Sequence, residues 1–233
     1  MTFNRKADMS LEQQAMQREQ SRFNMVEQQI RPWDVLDPKV LELFKKIPRE
    51  DFVPKQYKGL AFADIEVPLD EGQQMLSPKI EGRILQALEI KPTDKVLEIG
   101  TGAGYLTALL ATQAKQVDSI DLHAKLSAQA AKNLAAHKIK NVKLIVGDGT
   151  QGLAAKAPYD VIVFTGALST PPNQQLEMQL AVGGRMFAVV GEAPAMEAML
   201  VERVATDIFK RDALFETYLP LLVNAPKPKK FSF

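Results

Sequence analysis

The sequence predicts an α/β fold, a mostly parallel sheet with helices on both faces, and three observations carry that prediction. Short apolar runs alternate with helical segments from Ile80 onward. The runs lack strict apolar–polar alternation, as expected where both faces of a sheet are covered. One run passes directly into a glycine-rich turn and then a helix, in Val96-Leu-Glu-Ile-Gly-Thr-Gly-Ala-Gly-Tyr105.

Along the chain the elements fall in a clear order. The first 32 residues or so are rich in Gln, Glu and Met. Met16, Phe23, Met25, Val26 and Ile30 form an irregular helical stripe, expected to pack on the domain edge rather than reach for a partner. Pro32 and Pro38 interrupt it, and a short helix is expected over Val40 to Ile47. The stretch from Pro48 to Pro78 carries Pro54, Pro68 and Gly72 and is long for a plain loop, so it is expected to fold against the core or cover a site.

The regular part follows. A helix is expected from about Ile80 to Leu88, then a turn at Lys91 to Asp94. Strands are expected at Val96 to Ile99, Val117 to Ile120, Val142 to Val146, Val161 to Phe164 and Met186 to Val190. Helices are expected at Leu106 to Ala114, Ala124 to His137 and Asn173 to Leu180. Ala198 to Val204 and Leu214 to Val223 would add an antiparallel edge. The expected organisation is residues 1–78 packed on a core spanning 79–225, with a frayed tail at 226–233.

Composition narrows the function classes. The 233 residues, 46% hydrophobic and 24% charged, suit one soluble globular domain. With 29 basic and 28 acidic residues the net charge is +1, which points to neither a nucleic-acid nor a membrane surface. The absence of cysteine excludes disulfides, thiolate metal sites and a cysteine nucleophile. Only His123 and His137 are present, both in an expected helical region, which argues against a histidine-rich metal site. The polar N-terminus and the lack of a long apolar stretch make a cytoplasmic protein the expectation.

The chemistry centres on the glycine turn. Glycines at 100, 102 and 104 allow a tight turn and close approach of backbone to a ligand. The helix that follows offers free N–H groups at its start. A dinucleotide site of the G-x-G-x-x-G kind would need glycine at 105, where Tyr105 stands. The pattern is instead E-x-G-x-G-x-G, with Glu98 ahead of the turn. A carboxylate there suits a cationic ligand such as S-adenosylmethionine (SAM), which carries an ammonium and a sulfonium. Asp121 ends the next apolar run, about 20 residues on, where a carboxylate can accept ribose hydroxyls. It could equally cap the following helix. Asp148, in Gly147-Asp-Gly149, ends the third run and could accept from an adenine amino group or simply shape a turn. Three acids at successive strand ends favour the ligand over three unrelated turns.

Beyond this turn, the sequence resembles the protein-L-isoaspartate O-methyltransferase family from about residue 22 to 223. The resemblance lies in Pro48-Arg-Glu-Asp-Phe-Val53, Gly72-Gln73 with Pro78, Val96 to Tyr105, Gly147-Asp-Gly149, Pro158-Tyr-Asp-Val-Ile-Val-Phe-Thr165 and Leu180-Ala-Val-Gly-Gly-Arg185. It implies a Rossmann-like seven-stranded sheet with a reversed final hairpin. It also implies SAM as cofactor, S-adenosylhomocysteine as product, and methyl transfer to the free carboxylate of isoaspartyl residues in damaged proteins. The cofactor set is then Glu98, Gly100, Thr101, Gly102, Gly104, Tyr105, Asp121, Leu122, Asp148 and Gly149.

One segment departs from the family. The pattern P-[IL]-G-x-G-Q-T-I-S-x-P reads Pro68-Leu-Asp-Glu-Gly-Gln-Gln-Met-Leu-Ser-Pro78 here. The family's active-site serine falls on Leu76, with Ser77 one place later; Asp70 replaces a glycine and Gln74 a threonine. An ionised carboxylate, pKa about 4, is already a nucleophile at neutral pH, so alignment is the protein's main task. Ser77 and Gln73 are the candidates for orienting the acceptor, and Thr165 for lining the transfer site. Tyr105 closes over the methionine part of SAM or belongs to the core, and Asp70 is expected to be exposed. A SAM-dependent methyltransferase for a small molecule or another protein acceptor, and a non-catalytic SAM-binding protein, stand as alternatives.

Overall fold

The computed structural model describes residues 10–226. Most of the expected frayed tail therefore lies outside the described residues. Helix α1, Leu11–Met25, begins at Ser10, whose hydroxyl accepts from Gln13 N while the Gln13 side chain accepts from Ser10 N. This reciprocal pair satisfies two donors at the helix start. The helix runs into a π turn at Val26–Ile30. Met25, Val26 and Ile30 are fully buried, but Met16 and Phe23 stay exposed, so only the end of the predicted stripe meets the core. Helix α2, Pro38–Lys46, is capped by Asp37 and buries Val40, Leu41, Leu43 and Phe44.

From Pro48 the chain folds as short 3₁₀ turns and a two-residue hairpin, β1 (Val67–Pro68) with β2 (Gln74–Met75). Phe52, Val53, Ala61, Val67 and Met75 are buried in one cluster with α2 and the central strands. The long Pro-rich stretch thus packs against the core.

Helix α3, Pro78–Leu88, leads into β3 (Lys95–Ile99), α4 (Tyr105–Gln113), β4 (Gln116–Asp121), α5 (Ala124–Ala136) and β5 (Val142–Val146). Then come β6 (Tyr159–Leu168), α6 (Gln174–Glu177), β7 (Leu180–Glu192), β8 (Ala195–Ala205) and β9 (Ile208–Glu216). The sheet order is β5-β4-β3-β6-β7-β8-β9. The first five strands are parallel, and β8 runs antiparallel to both neighbours. Alternate residues feed two cores: Val161, Val163, Phe187 and Val189 face one side, and Ile162, Phe164, Met186 and Ala188 the other. The fold is α/β with a mostly parallel seven-stranded sheet between helical layers, as predicted.

Several boundaries differ from expectation: β6 runs on to Leu168, and β7 begins at Leu180 rather than Met186. The last strand covers Ile208–Glu216 rather than starting at Leu214. Its charged residues Lys210, Arg211 and Asp212 interrupt the apolar pattern, a common feature of an edge strand in water. The helix expected to run to Leu180 ends at Glu177, because Leu180 already pairs with Tyr159 as the start of β7.

Candidate active site

The parallel order β4-β3-β6 places the carboxyl ends of three strands side by side, and the cleft opens there. It encloses about 1030 Å³, counting the solvent at its mouth. Its walls come from the glycine turn, the segments after β4 and β5, the end of β6, the acceptor-side segment Gly72–Leu76 and the C-terminal Pro220–Val223.

The glycine turn is shaped for a close ligand. Gly100, Gly102 and Gly104 all have positive φ, at 97°, 55° and 84°. A side chain at Gly100 would run into the Thr165 hydroxyl, and one at Gly104 would meet Ala130 Cβ at 3.0 Å. Gly104 then serves as the cap of α4 without any side-chain hydrogen bond. Around the turn, Asn133 Nδ2 donates to Ala103 O at 2.9 Å, and the Thr165 hydroxyl lies 3.0 Å from Ile99 O and 2.9 Å from Gly100 O.

Asp121 ends β4 and is buried. Oδ2 accepts from Gly102 N and Oδ1 from His123 N, each at 2.8 Å. Each carboxylate oxygen has two lone pairs, so one site on each remains for a ligand hydroxyl. The helix-cap reading fails: the cap of α5 is His123. Asp148 is exposed, and its Oδ1 accepts from Thr150 N at 2.9 Å and from the Thr150 hydroxyl at 2.7 Å. The Thr150 N–H holds the Asp148 carboxyl below its ordinary pKa despite some burial, with help from the Thr150 hydroxyl and Asn224. Asn224 Nδ2 reaches Asp148 Oδ2 at 3.1 Å. Leu122, Gly149 and the backbone of Thr101 complete this end. The Thr101 hydroxyl itself turns inward to Ser119 Oγ at 2.6 Å.

Glu98 does not sit where the sequence reading put it. Its side chain is fully buried and does not line the cleft. Oε2 accepts from Thr107 Oγ1 at 2.5 Å and from Ser119 Oγ at 2.6 Å, while Oε1 is buried without a partner. Burial pushes its pKa up to about 8 against the lowering effect of the two hydroxyls. The reason is register: β3 alternates faces, and Glu98 points into the core beneath the turn, between the Leu97 and Ile99 side chains of the other face. Glu98 is a support of the turn from below.

The acceptor-side wall corrects a second expectation. Leu76, Met75, Gln74 and Gln73 line the cleft; Ser77 does not. Ser77 is buried at the cap of α3, with φ −69° and ψ 150°, and its carbonyl accepts from Ile80 N and Glu81 N. Pro78 at the first helical position commits Ser77 to the helix start, so the shift by one residue turns the hydroxyl away. Gln73 is half-buried in the wall, its Nε2 donating to Glu71 O at 3.2 Å. Asp70 is exposed, as expected, and pairs with Lys125 of α5 at 3.1 Å. Thr165 lines the cleft with its hydroxyl proton committed to the glycine turn.

Tyr105 lines the floor with only 1% of its surface exposed. It packs on Phe44 and Phe52, and burial raises its phenol far above the ordinary value. Arg49 and Glu81 were not singled out from sequence. Arg49 lies in the Pro48-Arg-Glu block, the one signal that could have flagged it, and Glu81 had none. His123 borders the cleft and His137 ends α5 beside Asp51, at 3.2 Å.

The site fits SAM on its own geometry: a side-chain-free cradle at the glycines, two strand-end carboxylates with free lone pairs, and apolar walls from Ile99, Ile120, Leu122 and Leu126. A family model described as Protein-L-isoaspartate(D-aspartate) O-methyltransferase matches residues 20–225. The protein-L-isoaspartate O-methyltransferase of Koribacter versatilis is 41% identical over 204 residues, covering 87% of this chain and 91% of its own. That of Paracoccus denitrificans is 38% identical over 194 residues, covering 83% and 89%. Among solved structures, a protein-L-isoaspartate O-methyltransferase aligns with TM-score 0.74 and 24% identity over 90% of this chain and 67% of its own. A Plasmodium falciparum protein described as a beta-aspartate methyltransferase, in complex with S-adenosyl-L-homocysteine, aligns with TM-score 0.72 and 18% identity over 88% and 98%. These two likenesses bear on the fold.

Proposed function

The chain belongs to the protein-L-isoaspartate(D-aspartate) O-methyltransferase family, and on that premise we propose how its own residues perform the family reaction. It is a SAM-dependent methyltransferase, and the acceptor is the free carboxylate of isoaspartyl residues in proteins. One observation supports the reading above others. A single continuous cleft joins the carboxylates Asp121 and Asp148 at one end to Gln73 and Leu76 at the other, with the glycine turn between them.

SAM supplies an electrophilic methyl group on its sulfonium; the protein supplies position. Asp121, already oriented by Gly102 N and His123 N, would offer its remaining lone pairs to the ribose hydroxyls of bound SAM. Asp148, whose carboxyl Thr150 holds below its ordinary pKa, would receive the adenine amino group. Glycines 100, 102 and 104 let the main chain approach the amino-acid part, and Tyr105 forms the floor beneath it. The acceptor carboxylate is ionised at neutral pH and needs no base. The Gln73 amide is the wall's hydrogen-bond donor for it, and Leu76 provides an apolar contact where the family has a hydroxyl. Excluding water and fixing the line of attack account for the catalysis.

The test is transfer of a tritiated methyl group to an isoaspartyl peptide, run beside its aspartyl twin. Transfer to the isoaspartyl peptide alone is expected. No transfer under saturating SAM sinks the assignment and leaves a different acceptor as the better reading.

A further inference from the structure

A buried ion pair lies directly behind the acceptor wall. Arg49 and Glu81 are 0% and 2% exposed. Arg49 Nη1 donates to Glu81 Oε2 at 2.5 Å, and Nη2 donates to the carbonyl of Leu76 at 2.7 Å. The guanidinium lies 5.2 Å from the centre of the Tyr105 ring. Leu76, Glu81 and Tyr105 all border the cleft. Arg49 itself is anchored within the short turn Arg49–Asp51, where the neighbouring Glu50 pairs with Arg22 of α1. Arg49 Nε has no partner, so the group spends its bonds on these two contacts.

Leu76 sits where support is otherwise thin. The β1–β2 ladder ends at Met75, and α3 starts at Pro78. Among the described residues, the Leu76 carbonyl is held by a side chain whose one ion-pair partner is Glu81. An uncompensated guanidinium in this position would be costly, so the two contacts stand or fall together.

We infer that Glu81 is a positioning residue for methyl transfer: through Arg49 it fixes the main chain at Leu76, and so sets the acceptor wall against the cofactor. The inference rests on the acceptor end of the cleft being where transfer occurs. The wall lacks a hydroxyl at position 76, and its placement depends on this pair from behind.

A pH signature follows. The groups facing Glu81 are Arg49 from the 49–51 turn, Glu98 from β3 and Tyr105 from α4, with Glu50 and Arg22 behind Arg49. Burial pushes Glu81 up to about 7 against the lowering effect of Arg49. As pH falls through that value Glu81 takes a proton, the ion pair is lost, and the hold on Leu76 loosens. The acceptor's own carboxylate, near pH 4, titrates far below this limb.

The experiment uses the full chain, with methyl transfer to the isoaspartyl peptide measured from about pH 5.5 to about 8.5. Wild type should show an acid limb near neutrality. Glu81→Gln should lower kcat/KM for the peptide by about tenfold above the limb and abolish the limb, with S-adenosylhomocysteine affinity changed less than about twofold. Glu98→Gln should keep the limb. A paired apolar replacement, Arg49→Met with Glu81→Leu, should fold with near wild-type Tm yet remain slow, because the Leu76 carbonyl is still unheld. Hydrogen exchange gives a readout independent of activity: amides of residues 74–77 should lose protection in Glu81→Gln while the sheet does not. Retention of the acid limb in Glu81→Gln, recovery of turnover in the apolar pair, or unchanged protection at 74–77 overturns the inference. Failure of wild type to methylate the peptide overturns the assigned function instead, and the exchange result still decides the role of Glu81.

Discussion

At the cofactor end of the cleft, the polar groups are tied to the glycine turn or to the strand beside it, with Asp121 reaching Gly102 and Thr165 reaching Gly100. At the acceptor end, the wall hangs on Arg49, 27 positions from Leu76 and 32 from Glu81 along the chain. The first end is braced by side chains, Asp121 and Thr165, that themselves line the cleft. The second is braced from behind by Arg49, which does not line the cleft, so a single substitution there can move the wall without touching the cofactor. One end can then stay constant while the other is retuned.

Substitutions can break or sharpen that contrast. The largest effect is expected at the turn. Gly100→Ala puts a side chain at φ 97° into the Thr165 hydroxyl, and S-adenosylhomocysteine binding by calorimetry should fall by about a hundredfold or more. Next comes Asp121→Ala, which orphans Gly102 N and His123 N and removes the proposed ribose acceptor. Cofactor affinity should drop by about 10- to 100-fold, while peptide KM at saturating SAM stays nearly level.

The acceptor end should respond in the opposite sense. Leu76→Ser gives the wall a hydroxyl and should raise peptide kcat/KM about fivefold with cofactor affinity unchanged. Ser77→Ala should change neither by more than about twofold, since that hydroxyl neither lines the cleft nor caps α3. A large loss in Ser77→Ala would restore Ser77 as an acceptor ligand and undo the contrast.

The smallest effect concerns stability. Burial lifts Glu98 from 4.5 in an ordinary setting to about 8. The folded chain therefore holds a proton that the unfolded chain releases, and between these values stability falls as pH rises. Glu81 adds a slope of the same sign up to about 7. Wild-type Tm should drift down by a few degrees between about pH 5 and about pH 8, and Glu98→Gln should roughly halve the drift.

What the sequence made legible follows the same division. Strands buried on both faces announce themselves as unbroken apolar runs, so β3, β4 and the middle of β6 and β7 are readable, while β7 begins six residues earlier than expected, at Leu180. Edge strand β9 was misplaced because its charges hide a pairing that only neighbouring β8 defines. The glycine turn and its two partner acids were readable because the whole device lies at strand ends in sequence order. Glu98 was placed at the ligand because spacing gives proximity without direction; strand alternation buries it instead. Ser77 failed for a similar reason, since Pro78 fixes which residue begins the helix and which faces the cleft. Of the Arg49–Glu81 pair, only the Pro48-Arg-Glu block marks Arg49, and nothing local marks Glu81.

The C-terminal wall has a consequence for how the protein is made. Residues Pro220 to Val223 border the cleft, Leu222 N bonds Ala167 O, and Asn224 touches Asp148. A growing chain that has reached Glu216 already contains all seven strands, yet one side of its cofactor site does not exist. All seven strands of the sheet are present in the chain before the residues that complete the cleft. The site is thus the final part of the domain to be finished, closed by residues that contribute almost nothing to the sheet.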